Sequence, residues 1–100
     1  MSLKNNNLFN LKDKVAIVTG ASKGIGLAIS RGFAEFGAKV VISSRSQEAL
    51  ELAASDLQKE GLDVFAQACH VGDSNQRKVL VKKTIDEFGS IDILVNNAAI

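Results

Sequence analysis

The chemistry of this chain is concentrated in Thr19-Gly20-Ala21-Ser22-Lys23-Gly24-Ile25-Gly26, which follows directly on the apolar run Val15-Ala16-Ile17-Val18. A short buried strand that empties into a glycine-rich turn and then a helix presents backbone N–H groups to a pyrophosphate. Gly20 lets the chain turn sharply off the strand, and Gly24 leaves room for N–H groups to approach phosphate. Gly26 lets the helix pack close to the sheet. The spacing is G-x-x-x-G-x-G, and taken alone it fits an ordinary tight strand-to-helix turn better than a phosphate site. The surrounding pattern favours the phosphate reading.

A dinucleotide site also needs a group at the end of the second strand that reads the adenosine ribose. A carboxylate about 20 positions beyond the glycines accepts from a free 2′-hydroxyl and selects NAD(H). Here the neighbourhood is Ser43-Ser44-Arg45-Ser46, with no carboxylate. Arg45 can pair with a 2′-phosphate through its planar donor fork, and Ser44 can add a hydroxyl. Lys23, inside the glycine loop, can bring a second positive charge to the same corner. Either cation alone is equally a solvent-facing loop residue. Two of them at one corner, without the competing carboxylate, predict NADP(H) over NAD(H).

Seven alternating segments must position these residues. Lys14 to Thr19 reads as the first strand. A helix from Gly24 to Phe36 follows, with Ile25, Ala28, Ile29, Phe33 and Phe36 on one face and Gly37 as its stop. Lys39 to Ser44 is a second strand. Ser46 is an N-cap for a helix with Leu50, Ala53, Ala54 and Leu57 inward, closed by Gly61. Asp63 to Cys69 is a third strand. Asp73, with Gln76 three residues on, offers a capping box for a helix burying Val79, Leu80, Ile85 and Phe88 and ending at Gly89. Ile91 to Asn96 is a fourth strand. Continuous apolar strands alternating with helices predict a doubly wound, parallel α/β sheet with right-handed crossovers and strand order 3-2-1-4. Ligands of such sheets bind where the two halves diverge.

The 100 residues, 46% of them hydrophobic, make one domain at most and supply enough apolar material for a core. A net charge of +1 gives no reason to expect nucleic acid or an anionic membrane as partner. No apolar stretch approaches the roughly 20 residues of a membrane span, and the polar leader over residues 1–10 lacks a signal-peptide core. The single cysteine, Cys69, cannot form an internal disulfide, which fits a reducing, intracellular compartment such as the cytoplasm. It reads as a buried core thiol, with a reactive role second.

The chain resembles the N-terminal part of a short-chain dehydrogenase/reductase with a Rossmann fold. Thr19 to Gly26 matches that family's T-G-x-x-x-G-x-G motif, and Asp92-Ile93-Leu94-Val95-Asn96-Asn97-Ala98-Ala99 matches its D-x-L-V-N-N-A-G stretch. The resemblance covers residues 11–100. Two motifs in order are far more specific than either alone. Cys69-His70-Val71-Gly72 and Asn97-Ala98-Ala99-Ile100 look most like the NADP-dependent carbonyl and retinal reductase branch.

The resemblance implies that Ser22, Lys23 and Ile25 line the phosphate loop and that Arg45 sits on the 2′-phosphate. It places Asn97 and Ala98 along the cofactor ribose and the central sheet. Where many members carry Asp-Val beside the adenine, this chain has His70-Val71. His70 then either offers a ring contact to the base or is a strand-end histidine bonded to the backbone. Ala99 replaces the motif's last glycine. The family's proton donor is the tyrosine of a Tyr-x-x-x-Lys pair, helped by a serine and an asparagine further along the chain. The 100 residues contain no tyrosine.

The resemblance therefore implies an NADP(H)-dependent oxidoreductase acting on a small carbonyl or alcohol, homo-oligomeric at full length. The 100 residues are expected to be its cofactor-binding half, cut after the fourth strand. The alternative is a non-catalytic dinucleotide-binding module or an inactive truncation. Strand 4 would be left with an unpaired edge, which favours a longer enzyme or a partner covering it.

Overall fold

The computed structural model describes residues 10–97. Four strands and three helices alternate: β1 (Val15–Thr19), α1 (Gly24–Glu35), β2 (Lys39–Ser43), α2 (Gln47–Lys59), β3 (Val64–Ala66), α3 (Ser74–Phe88) and β4 (Ile93–Asn96). All pairings are parallel, in the order β3-β2-β1-β4. The central strand β1 registers Ile17 against Val41 on one side and Leu94 on the other. Side chains alternate across a strand. Ala16, Val18, Val40 and Ile42 accordingly pack with Leu50, Ala53, Ala54 and Leu57 of α2, and with Ala34 of α1. Ile17 and Val41 face the other way, onto Leu80 of α3 and Cys69. Helices thus cover both faces, the doubly wound arrangement that the continuous apolar strands predict.

The second helix follows its predicted pattern closely. Ser46 caps it by accepting from the Ala49 N–H at 3.2 Å, and its four expected apolar residues are buried. The other two helices bury the predicted face only in part: Ile29, Phe33, Leu80 and Phe88 pack on the core, and other predicted residues do not. In α1 the residues against the sheet are Gly26, Ser30 and Ala34, while Ile25 stands 73% exposed and Ala28 is exposed. Small residues allow a helix to approach the sheet closely, and the Ser30 hydroxyl is satisfied by donating to the Gly26 carbonyl at 2.8 Å. In α3, Leu80 and Thr84 are buried and Phe88 half-buried, whereas Val79 and Ile85 are exposed. Thr84 enters the apolar interface because its hydroxyl donates to the Leu80 carbonyl at 2.8 Å.

The outer strands are shorter than predicted. β3 stops at Ala66, although Gln67 N–H still donates to the Ile42 carbonyl and Cys69 N–H to the Ser44 carbonyl. Between them Ala68 N–H, which points away from β2, donates to the Gln47 side chain at 2.9 Å. β4 starts only at Ile93, after Asp92 has tied the sheet's entry together. The Asp92 carboxylate accepts from Val15 N–H at 2.8 Å and from the Ser90 hydroxyl at 3.2 Å. Among the described residues no helix is long and apolar enough to cross a membrane.

Candidate nucleotide site

The glycine loop leaves β1 at Gly20, whose φ of 62° lies in the left-handed region, as does that of Gly24. These two conformations turn the chain from the strand into α1 at little steric cost to glycine. A Cβ at Gly24 would meet nothing within 4 Å, so its role is conformational. Gly26 is different. A Cβ there would lie 2.3 Å from the Gly20 carbonyl oxygen and 2.8 Å from Asn97 Nδ2. The close approach at this position is therefore to the loop's own backbone and to Asn97, just past β4, where the sequence predicted one to the sheet. Ser46 and Asp73 cap α2 and α3, whereas α1 has no side-chain cap. The first-turn N–H groups of an α-helix lack intrahelical partners, and at α1 the N-cap residue Lys23 supplies no side-chain acceptor for them.

An open cavity of about 560 Å³ lies at the C-terminal ends of the strands, lined by Gly20, Ser22, Lys23, Ser44, Arg45, Ser46, Cys69, Val71 and Asn97. It joins the glycine loop, the end of β2, the segment after β3 and the end of β4. Two cationic side chains line it, with no carboxylate among them. Ser44 Oγ accepts from the Ser46 N–H at 3.3 Å and so shapes the turn that carries Arg45.

Of the expected site residues, Gly20, Ser22, Lys23, Ser44, Arg45, Val71 and Asn97 line this one cavity. Gly24, Ile25 and Gly26 are not in the lining; they form the start of α1 behind it. His70 is also outside the lining, and its Nδ1 accepts from the Gly72 N–H at 3.2 Å. Ala98 lies outside the described residues.

Two lining residues, Ser46 and Cys69, read from sequence only as a helix cap and a core thiol. Cys69 is both buried and at the cavity wall, held beside the end of β2 by its N–H bond to the Ser44 carbonyl. Burial pushes its thiol pKa up, with Arg77 opposing and Asp73 adding to the rise. Thr19 reads from sequence only as the end of the first strand and the first residue of the glycine motif. Its hydroxyl accepts from Asn97 N–H at 3.1 Å and lies 3.0 Å from Asn96 Oδ1, joining the ends of β1 and β4. Asn97 Nδ2 in turn donates to the Gly20 carbonyl.

Parallel strands, a glycine turn uncapped at its helix, and a cationic cavity at the divergence of the sheet define a dinucleotide-binding α/β fold. Residues 14–100 match the family model for short chain dehydrogenase. The chain belongs to this family of oxidoreductases, whose members bind nicotinamide dinucleotides. It is 52% identical over 90 residues to Dehydrogenase/reductase SDR family member 4 of Oryctolagus cuniculus, covering 90% of this chain and 35% of that one. Short-chain dehydrogenase/reductase SDRA of Arabidopsis thaliana is 45% identical over 89 residues, covering 89% of this chain and 35% of the relative. The chain thus spans about a third of the length of these curated relatives. Among solved structures, the fold matches a hydroxysteroid dehydrogenase from Escherichia coli with a TM-score of 0.90 and 37% identity, over 94% of this chain and 39% of that one. It matches a variant of actinorhodin polyketide ketoreductase with NADPH at a TM-score of 0.83 and 34% identity, over 87% of this chain and 33% of that one.

Proposed function

We propose that residues 11–100 form the dinucleotide-binding part of an NADP(H)-dependent short-chain dehydrogenase/reductase that interconverts a small carbonyl compound and its alcohol. The observation that carries this reading is the convergence of Lys23 and Arg45 on one cavity whose lining holds no carboxylate. A 2′-phosphate brings about two negative charges, which an arginine fork and an ammonium can neutralise and a carboxylate would repel. The ketoreductase neighbour with NADPH supports the same choice.

In this reading Gly20, Ser22, Lys23, Gly24, Ile25 and Gly26 hold the pyrophosphate at the start of α1. Ser44 and Arg45 hold the 2′-phosphate, Val71 covers the adenine side, and Asn97 with Ala98 lies along the ribose. When bound, the nicotinamide supplies or accepts the hydride. Proton transfer at the carbonyl oxygen needs a positioned acid, worth roughly 10²–10⁴-fold in rate. The 100 residues contain no tyrosine, so we assign that role to residues beyond them. An intracellular, homo-oligomeric enzyme is the corresponding whole-protein proposal.

The test is calorimetric titration of the protein with NADPH and NADH. NADPH should bind more tightly, and Arg45→Ala should lose roughly 1.5–3 kcal/mol of that preference, the scale of a hydrogen bond to a charged group. Equal affinities for the two cofactors would overturn the assignment.

A further inference from the structure

Cys69 and Val71 wall the cavity, and the residue between them does not line it. The His70 ring is engaged by its own chain: Nδ1 accepts the Gly72 N–H at 3.2 Å. Only an unprotonated ring nitrogen can accept, so this bond belongs to a neutral imidazole with its proton on Nε2. The same segment is tied to the start of α3. His70 N–H donates to Gln76 Oε1 at 2.7 Å, Asp73 N–H donates to the His70 carbonyl at 2.9 Å, and the Arg77 guanidinium donates to the Val71 carbonyl. Val71 is therefore placed by a short set of bonds, one of which disappears when the ring takes up a proton.

We propose that His70 is a positioning residue for the cavity, holding Val71 against a bound nucleotide only while its ring is neutral. This rests on the dinucleotide reading of the cavity. On protonation, Nδ1–H and the Gly72 N–H become two donors facing one another, and the turn opens. The charged groups on the α3 side are Asp73, whose N–H donates to the His70 carbonyl, and Arg77, whose guanidinium donates to the Val71 carbonyl. Lys23 and Arg45 add positive charge across the cavity. An asparagine at position 70 keeps the essential contact without the titration, because its side-chain oxygen accepts from the N–H two residues on in an Asx turn.

The experiment measures NADPH affinity from about pH 8 down to about pH 5 for the wild type, His70→Asn and His70→Ala. Protonation of the cofactor's own phosphate affects all three alike, so the ratio between variants is the readout. Wild type and H70N should agree at the alkaline end and diverge as pH falls, the wild type becoming about five- to tenfold weaker, as for loss of one hydrogen bond. H70A should be weaker by a similar factor at every pH. Nitrogen NMR of the wild-type ring, without cofactor, should show the Nε2–H tautomer at the alkaline end. Parallel pH profiles for wild type and H70N, or an Nδ1–H tautomer, overturn the role of His70 alone. Absence of NADPH binding by every variant at every pH overturns the cavity reading and this inference together.

Discussion

Asn97 Nδ2 donates to the Gly20 carbonyl at 3.2 Å, so the end of β4 and the turn after β1 form one unit. Gly26 sits beneath that bond with no room for a Cβ: the Gly20 oxygen would be 2.3 Å away. The glycine loop is thus shaped by a contact between two stretches 77 residues apart in sequence, as well as by its own glycines. Gly26→Ala must push the loop backbone away from α1. Its expected cost is ~1–3 kcal/mol of stability, with loss of nucleotide binding. Gly24→Ala meets open space but carries a left-handed φ, and should cost about 1–2 kcal/mol. Urea midpoints of the two variants, read beside an NADPH titration, check both effects.

Asp92→Ala removes the acceptor of the Val15 N–H and of the Ser90 hydroxyl at the start of the sheet. Leaving that part-buried amide unpaired should cost ~1–3 kcal/mol. Asp92→Asn keeps an oxygen acceptor and should lose less. Denaturant unfolding that ranks the asparagine variant at or below the alanine variant would contradict the capping role.

A bidentate pair of Arg31 and Glu60 joins α1 to the C-cap of α2, with Arg31 Nη2 donating to Glu60 Oε2 at 2.8 Å. The hydrogen bond from Arg31 holds the Glu60 carboxyl below its usual range, against an opposing effect of desolvation. A carboxyl lowered on folding contributes stability that is present above its unfolded pKa and lost as pH falls through the folded value. Both side chains are solvent-exposed, so the contribution is small and screened by salt. The melting-temperature difference between wild type and Glu60→Gln should be positive near pH 7, shrink toward zero in acid, and shrink at high salt.

Burial raises the Cys69 thiol pKa, and the thiolate is the reactive form. At neutral pH a soluble thiol reagent should therefore modify Cys69 more slowly than free cysteine, with the rate climbing as pH rises. Because Cys69 also walls the cavity, saturating NADPH should slow the reaction further. Reaction as fast as that of the free amino acid would show that the wall after β3 is open.

Much of this protein is written locally in its sequence. The continuous β-branched and apolar runs could only be strands covered on both faces, and the linker lengths imposed parallel crossovers, so the sheet order followed. Ser46, Asp73 and the glycines at 20 and 24 act through their own backbone neighbourhood, which is why their places could be read directly. The family was legible for the same reason: two short motifs carry it. What tertiary structure decided is which faces meet. Apolarity alone would have buried Ile25, Ala28, Val79 and Ile85; the sheet instead took Gly26, Ser30 and Thr84. Two of those bring hydroxyls that bond within their own helix, and Gly26 permits an approach a larger side chain would block. The roles of Asp92, Thr19 and Cys69 were likewise invisible in sequence, since each acts on, or is placed by, a segment distant along the chain. A hydrogen bond of this kind has no periodicity and no spacing rule, and only the folded sheet brings its donor and acceptor within reach.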